Sequence, residues 1–135
     1  MRTDFTDDAA WTQVVRECRG PSVEGFEANV TPIDDRALDG ADWTSLRDAA
    51  WGDTDRGSVL FVVDATTVAS AEHAVLVVST SRFHAENHPD EFAAQRPFRF
   101  IPALLWGPEN NLNLANLDWR DFADAVEADG VFRGF

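Results

Sequence analysis

Two imidazoles, His84 and His88, stand at i and i+4 in His84-Ala85-Glu86-Asn87-His88, the spacing that puts two nitrogen ligands on one side of a helix. A zinc protease places Glu directly after the first of the two. Here Ala85 takes that position and Pro89 follows at once, so the pair reads as part of a solvated loop and no metal site is assigned. Asp53-Thr54-Asp55-Arg56-Gly57, with Asp64 further on, has the outline of a calcium loop. Its glycine comes one place early and Ser58 to Asp64 reads as a strand, so the ligand cage fails. Asp118, Asp121 and Asp124 fall at helical i+3 steps like paired catalytic carboxylates, but like charges near a helix start ordinarily form a solvated face held by the dipole. Cys18 lies on an apolar helical stripe, where a thiol is buried and inert. Neither a Ser in a G-x-S-x-G turn nor a glycine-rich phosphate loop occurs. No catalytic residue and no cofactor are assigned. Were the chain an enzyme, Asp64 after a buried strand and His84 or His88 would be its acid and base.

The richest binding chemistry lies between residues 106 and 119. Asn110, Asn111, Asn113 and Asn116 bring amide donors and acceptors beside the indoles of Trp106 and Trp119, a combination suited to a polar ligand or a partner surface. The same amides also serve as caps and turns between two short helices while Leu112, Leu114 and Leu117 enter the core. Four side-chain amides exceed what two helix ends need. Trp106, Asn110, Asn111, Asn113, Asn116 and Trp119 are therefore the candidate binding residues.

A scaffold must hold them. At 135 residues the chain is one domain long, spanning 1–135, and five Trp with ten Phe supply enough apolar bulk for a packed core. The formal charge is −13, from 24 carboxylates against 11 basic residues, all of them Arg. Such a surface repels phosphate backbones and anionic lipid and attracts a basic protein, so direct nucleic-acid binding is not expected. A single Cys excludes an internal disulfide and a thiolate zinc cluster. Met1 to Trp11 has no apolar signal core, and the runs Val59–Val63 and Ala74–Val78 fall far short of a membrane span. The expectation is a cytoplasmic protein with no membrane segment.

Trp11, Val14, Val15 and Cys18 recur at helical spacing and predict a helix over Asp7–Arg19, with Thr6 as its N-cap and Gly20-Pro21 as its stop. Phe26, Ala28, Val30 and Ile33 predict a first strand that Pro32 confines to an edge. Asp34–Ala41 reads as a loop, Trp43, Leu46 and Ala50 as a short helix, and Asp53–Gly57 as a turn. The β-branched runs at 59–63 and 74–78 predict central strands, joined by an antiparallel turn or a one-turn helix. Ser79–Gln95, polar and broken by Pro89, reads as a mobile surface loop. Arg96–Ile101 predicts a fourth strand with Phe98 and Phe100 on one face, and Pro102 opens a short helix carrying Leu105 and Trp106. Asp118 caps a last helix striped by Trp119, Phe122 and Val126, with left-handed Gly130 ending it and Val131 packing back.

Glu109 to Trp119, the run Phe122-Ala123-Asp124-Ala125-Val126 and the ending Asp129 to Phe135 resemble an uncharacterised bacterial family of small acidic proteins, a domain of unknown function. Arg2-Thr3-Asp4-Phe5 and Phe61-Val62-Val63-Asp64 carry the same resemblance over most of the chain. It implies one domain and passes on no activity. The residues thus predict a single α+β domain, a four-strand mixed sheet flanked by the first and last helices. They favour binding over catalysis, with a basic protein as partner in the manner of immunity or inhibitor proteins. A small-molecule module closed by the 79–95 loop, or an enzyme, is the alternative.

Overall fold

The computed structural model describes residues 1–50 and 57–135. At its centre lies a four-strand mixed sheet in the spatial order β1 (Val59–Val62), β2 (Val75–Ser79), β3 (Phe98–Phe100) and β4 (Val131–Phe132). Around it run α1 (Asp8–Arg19), α2 (Trp43–Ala50), α3 (Ala65–Ala69), α4 (Arg82–Asn87), α5 (Pro89–Ala94), α6 (Trp106–Asn113) and α7 (Trp119–Ala123). β1 with β2 and β2 with β3 are antiparallel, placing Phe61 opposite Val77 and Val77 opposite Phe98, whereas β3 and β4 are parallel, with Phe100 opposite Phe132. The fold is α+β, as the sequence predicts.

Alternation along the strands sorts the side chains into two layers. Val75, Val77, Phe98, Phe100 and Phe132 share one face, where Val14 and Cys18 of α1, Leu105, and Trp119 and Phe122 of α7 pack against them. The first and last helices therefore lie on the same side of the sheet. On the opposite face Val62 and Val78 meet Leu46 of α2. Phe122 ties the larger core together: its ring lies 6.2 Å from Phe98, 5.9 Å from Phe100 and 5.6 Å from Phe132, distances at which edge and face contacts between aromatic rings are favourable.

Several local expectations change in the folded chain. The N-cap of α1 is Asp7, whose carboxylate accepts Ala10 N–H at 3.0 Å, rather than Thr6. Asp7 sits next to the first helical residue, and its side chain reaches the third N–H of the helix. Phe26–Ile33 is no strand of the sheet. The place beside β1 is taken by Met1–Thr3, where Thr3 N–H reaches Val63 C=O and Val63 N–H reaches Met1 C=O, each at 2.9 Å. The 26–33 segment is left one rank further out, joined by the single bond from Arg2 N–H to Ile33 C=O at 2.9 Å. Its place among the four strands goes to Val131–Phe132.

Ser79–Gln95 is not a loop but, beyond the end of β2, two consecutive six-residue helices. Ser81 caps α4 through His84 N–H, Pro89 occupies the first turn of α5 where its missing donor costs nothing, and Phe92 is buried. Pro102 opens a separate 3-10 turn, Pro102–Leu104, so Trp106 begins a helix of its own. α7 ends at Ala123, with the Asp121 carboxylate accepting Asp118 N–H at 2.7 Å, and Val126 lies beyond it. Gly130 is left-handed at φ +79, yet it forms the corner into β4 instead of the helix cap, with its N–H on Glu127 C=O at 2.8 Å.

Candidate functional site

The six candidate residues between 106 and 119 part company in the fold. Asn110 donates its amide to Trp106 C=O at 3.0 Å and Asn111 to Gly107 C=O at 2.9 Å, each one turn back within α6. Asn113 reaches outward: its Oδ1 accepts Ser58 N–H at 2.8 Å and its Nδ2 donates to Glu109 Oε1 at 3.2 Å. It holds the start of β1 so closely that a Cβ on Gly57 would stand 2.7 Å from Asn113 Oδ1. Asn116 is exposed in the turn after α6. Trp119 is buried against Phe98, ring centroids 4.8 Å apart, while Trp106 stacks on Phe26 at 4.8 Å. The indole N–H of each Trp is buried without a hydrogen-bond partner among the described residues.

Asp64 sits in a polar knot. Its carboxylate receives Arg99 in a two-point pair, Nη1 to Oδ1 at 3.0 Å and Nη2 to Oδ2 at 2.7 Å, and also caps α3 by accepting Thr67 N–H at 2.9 Å. The buried Thr67 hydroxyl donates to Ala74 C=O at 2.9 Å. Burial by itself would raise the Asp64 pKa; the Arg99 hydrogen bond, the Thr67 N–H and the Arg99 charge outweigh it and hold the carboxyl below the usual carboxylate range. A carboxylate so held is a strut more than a proton carrier. His84, inside α4, pairs Nδ1 with Ser81 Oγ at 3.0 Å, and His88 follows the helix with its ring 6.0 Å from that of His84. No cluster of three or more His, Cys, Asp or Glu among the described residues could hold a metal. Residues 53–56 of the calcium-like turn lie outside the described residues.

A cavity of about 430 Å³ opens along the outer edge of β1, walled by Val14, Val15 and Cys18 of α1, by Val30 and Ile33, and by Val59, Phe61 and Val63. Its size is that of an ordinary ligand pocket. At one end Glu109 Oε2 accepts Asn29 N–H at 3.2 Å, beside Asn113. Burial pushes the Cys18 thiol up to about 12, so it serves this wall as an apolar filler.

Backbone polarity gives the edge its character. Thr80 N–H bonds Ser58 C=O at 2.8 Å, which fixes the phase of the β1–β2 ladder. Ser58, Leu60 and Val62 turn their backbone groups toward β2, and Val59, Phe61 and Val63 turn theirs outward. Val63 is paired with Met1 and Thr3, and Phe61 C=O accepts the Met1 amino group at 2.7 Å. Val59 N–H, Val59 C=O and Phe61 N–H have no hydrogen-bond partner among the described residues. The sequence signals only pieces of this arrangement: Glu109 adjoins the Asn run, and Pro32 interrupts an extended segment. That the two flank one open strand edge is a tertiary fact.

Residues 1–135 match the family described as Domain of unknown function (DUF6924). The chain belongs to that family. No curated protein and no solved structure matches it. Membership in DUF6924 passes on no chemistry, so the functional reading rests on geometry and charge. No helix among the described residues is long and apolar enough to cross a membrane.

Proposed function

We propose that this chain is a non-enzymatic binding protein of the cytoplasm that holds a basic protein partner, as immunity and inhibitor proteins hold theirs. The observation that carries the reading is the carboxylate-rich end of the fold around its N-terminal segment. Gly40 N–H bonds Thr3 C=O at 2.9 Å, and Arg2 reaches Asp8 at 2.6 Å and Asp34 at 3.4 Å. These contacts bring Asp8 and Asp34 to Arg2 and join the two segments that also carry Asp4, Asp7, Asp35, Asp39 and Asp42. Arg2 is 3% exposed, and both guanidinium groups lie over the Phe5 ring, at 4.4 and 5.1 Å. With Arg2 covered, this end presents to solvent Arg36 and the six exposed carboxylates Asp7, Asp8, Asp34, Asp35, Asp39 and Asp42.

Those charges are also fixed in place. Asp7, Asp35 and Asp42 accept the backbone N–H groups of Ala10, Ala37 and Ser45, so their orientation is set before any partner arrives. The Thr44 hydroxyl and Ser45 N–H hold the Asp42 carboxyl below its usual range. A fixed field of one sign accelerates encounter with an oppositely charged surface and makes it sensitive to salt.

Affinity capture from host lysate with the tagged chain, at low and at high ionic strength, tests the reading. A basic protein retained at low salt and released at high salt is the expected result. Retention of nothing, or only of partners insensitive to salt, overturns it.

A further inference from the structure

The outer edge of β1 is an unfilled strand position, and we propose that it takes an extended segment of the basic partner by strand addition; this deepens the binding reading above and rests on it. An exposed sheet edge is a template for another strand, and here the free stretch is short and bounded. Val63 is already paired with Met1–Thr3 and Phe61 C=O with the Met1 amine. The unpaired groups are Val59 N–H, Val59 C=O and Phe61 N–H, in line with Met1 and facing the cavity of about 430 Å³. An added strand there lies end to end with Met1 and offers two carbonyls and one N–H to β1. Across the slot, Val30 and Thr31 make no backbone hydrogen bond to the rest of the described chain.

Side chains specify the occupant. In a strand, neighbouring residues point to opposite sides, so one side chain of the incoming segment enters the apolar wall of Val14, Val15 and Cys18. Glu109 stands at the end of the slot, its carboxylate held by Asn29 N–H at 3.2 Å and Asn113 Nδ2 at 3.2 Å with acceptor capacity left over. It is placed to receive a cationic side chain flanking the apolar one. The formal charge of −13 selects further: two copies of this chain repel when edge meets edge, whereas a segment alternating basic and apolar residues is attracted.

The test uses the full chain and a synthetic probe, an acetylated and amidated pentapeptide alternating arginine and valine. Amide hydrogen exchange resolved by NMR is followed at Val59 and Phe61, with Leu60 and Val62, whose N–H groups turn toward β2, as internal controls. Saturating peptide is expected to slow exchange at Val59 and Phe61 at least about tenfold, as pairing of a free strand edge does, and to leave the controls unchanged. The same peptide N-methylated throughout cannot donate to Val59 C=O and is expected not to bind. Glu109→Gln, which keeps the acceptor and removes the charge, is expected to weaken binding up to about fivefold, the range of an exposed ion pair.

Unchanged exchange at Val59 and Phe61, or equal binding of the N-methylated peptide, overturns the assignment. So does protection that rises with protein concentration in the absence of peptide, which would mean edge pairing between copies. A basic protein captured from lysate that leaves these two amides unprotected also overturns strand addition while leaving the broader binding reading in place; capture of nothing removes that reading itself.

Discussion

Arg99 and Asp64 meet across β2: the guanidinium comes from the middle of β3, the carboxylate from just past the end of β1, and their two contacts measure 3.0 and 2.7 Å. Arg99 Nη1 also donates to Thr67 Oγ1 at 3.1 Å and to Ala74 C=O at 3.0 Å. One arginine thus ties together a helix start, the entry to a strand and two strands that never touch. The pair is mostly shielded, with side chains 18% and 27% exposed, so removing one partner strands the other in a poorly hydrated place.

Asp64→Asn is expected to destabilise the fold at pH 7 by on the order of 2 kcal/mol, measured as a shift of the urea midpoint. The sign of its pH dependence follows from the depressed pKa. A carboxyl whose folded pKa lies below its unfolded value, about 3.9, contributes stability that is fully present above the unfolded value and is lost as pH falls through the folded one. Wild type should therefore lose stability more steeply than the variant as pH drops below about 4. Parallel slopes would show that the pair adds nothing specific.

Cys18 should be nearly inert in the native protein. With its pKa pushed up to about 12, the thiolate fraction at pH 8 is about one part in ten thousand. A disulfide reagent such as Ellman's is expected to react slowly in buffer and at once in denaturing urea, the ratio reporting the opening of α1 from the sheet. Fast reaction in buffer would contradict the packed wall described for the cavity.

Phe122→Ala is expected to cost about 3–5 kcal/mol in urea unfolding, because a side chain 1% exposed leaves a hole among Phe98, Phe100 and Phe132. Phe83→Ala serves as the contrast. That ring is 64% exposed, and its removal should change stability by no more than about 0.5 kcal/mol.

Asn113 and Gly57 should behave as one unit. Asn113→Ala frees Ser58 N–H, and Gly57→Ala pushes on Asn113 Oδ1, so each is expected to cost about 1 kcal/mol of stability through the same hydrogen bond. The double variant should then fall short of the sum by about that amount. Strict additivity would mean that the clamp on the start of β1 carries no energy.

Local signals in the sequence carried the fold well where one element decided its own shape. The stripe of Val14 and Cys18 declares α1, and the β-branched runs declare β1 and β2. Elements whose state depends on a distant partner were not legible. Phe26 to Ile33 alternates like a strand, but Met1–Thr3 reaches the β1 edge instead, and no local rule says which of two extended segments wins. Val131–Phe132 is too short for a periodic signal and exists only because β3 lies alongside. α4 and α5 were hidden because a six-residue helix has room for hardly more than one buried side chain, here Phe92. The Asn run between 110 and 116 showed a surplus of amides, yet the carbonyls one turn back within α6 absorb two of them, Asn110 and Asn111. Glu109 adjoins that run in sequence, but its place at the cavity depends on the distant Asn29 N–H it accepts.

Segments far apart in sequence flank opposite margins of the sheet: Met1–Thr3 covers the Val63 end of β1, and Val131–Phe132 pairs along β3. A polypeptide that has reached Phe100 but not yet Phe132 therefore carries β3 with one margin open. Arg2 meets Val63 before β3 is made, whereas Arg99 waits for Val131, so the two margins are covered at different stages of chain growth. Until Val131 is in place, β3 is an uncovered sheet edge, open to pairing with the wrong strand.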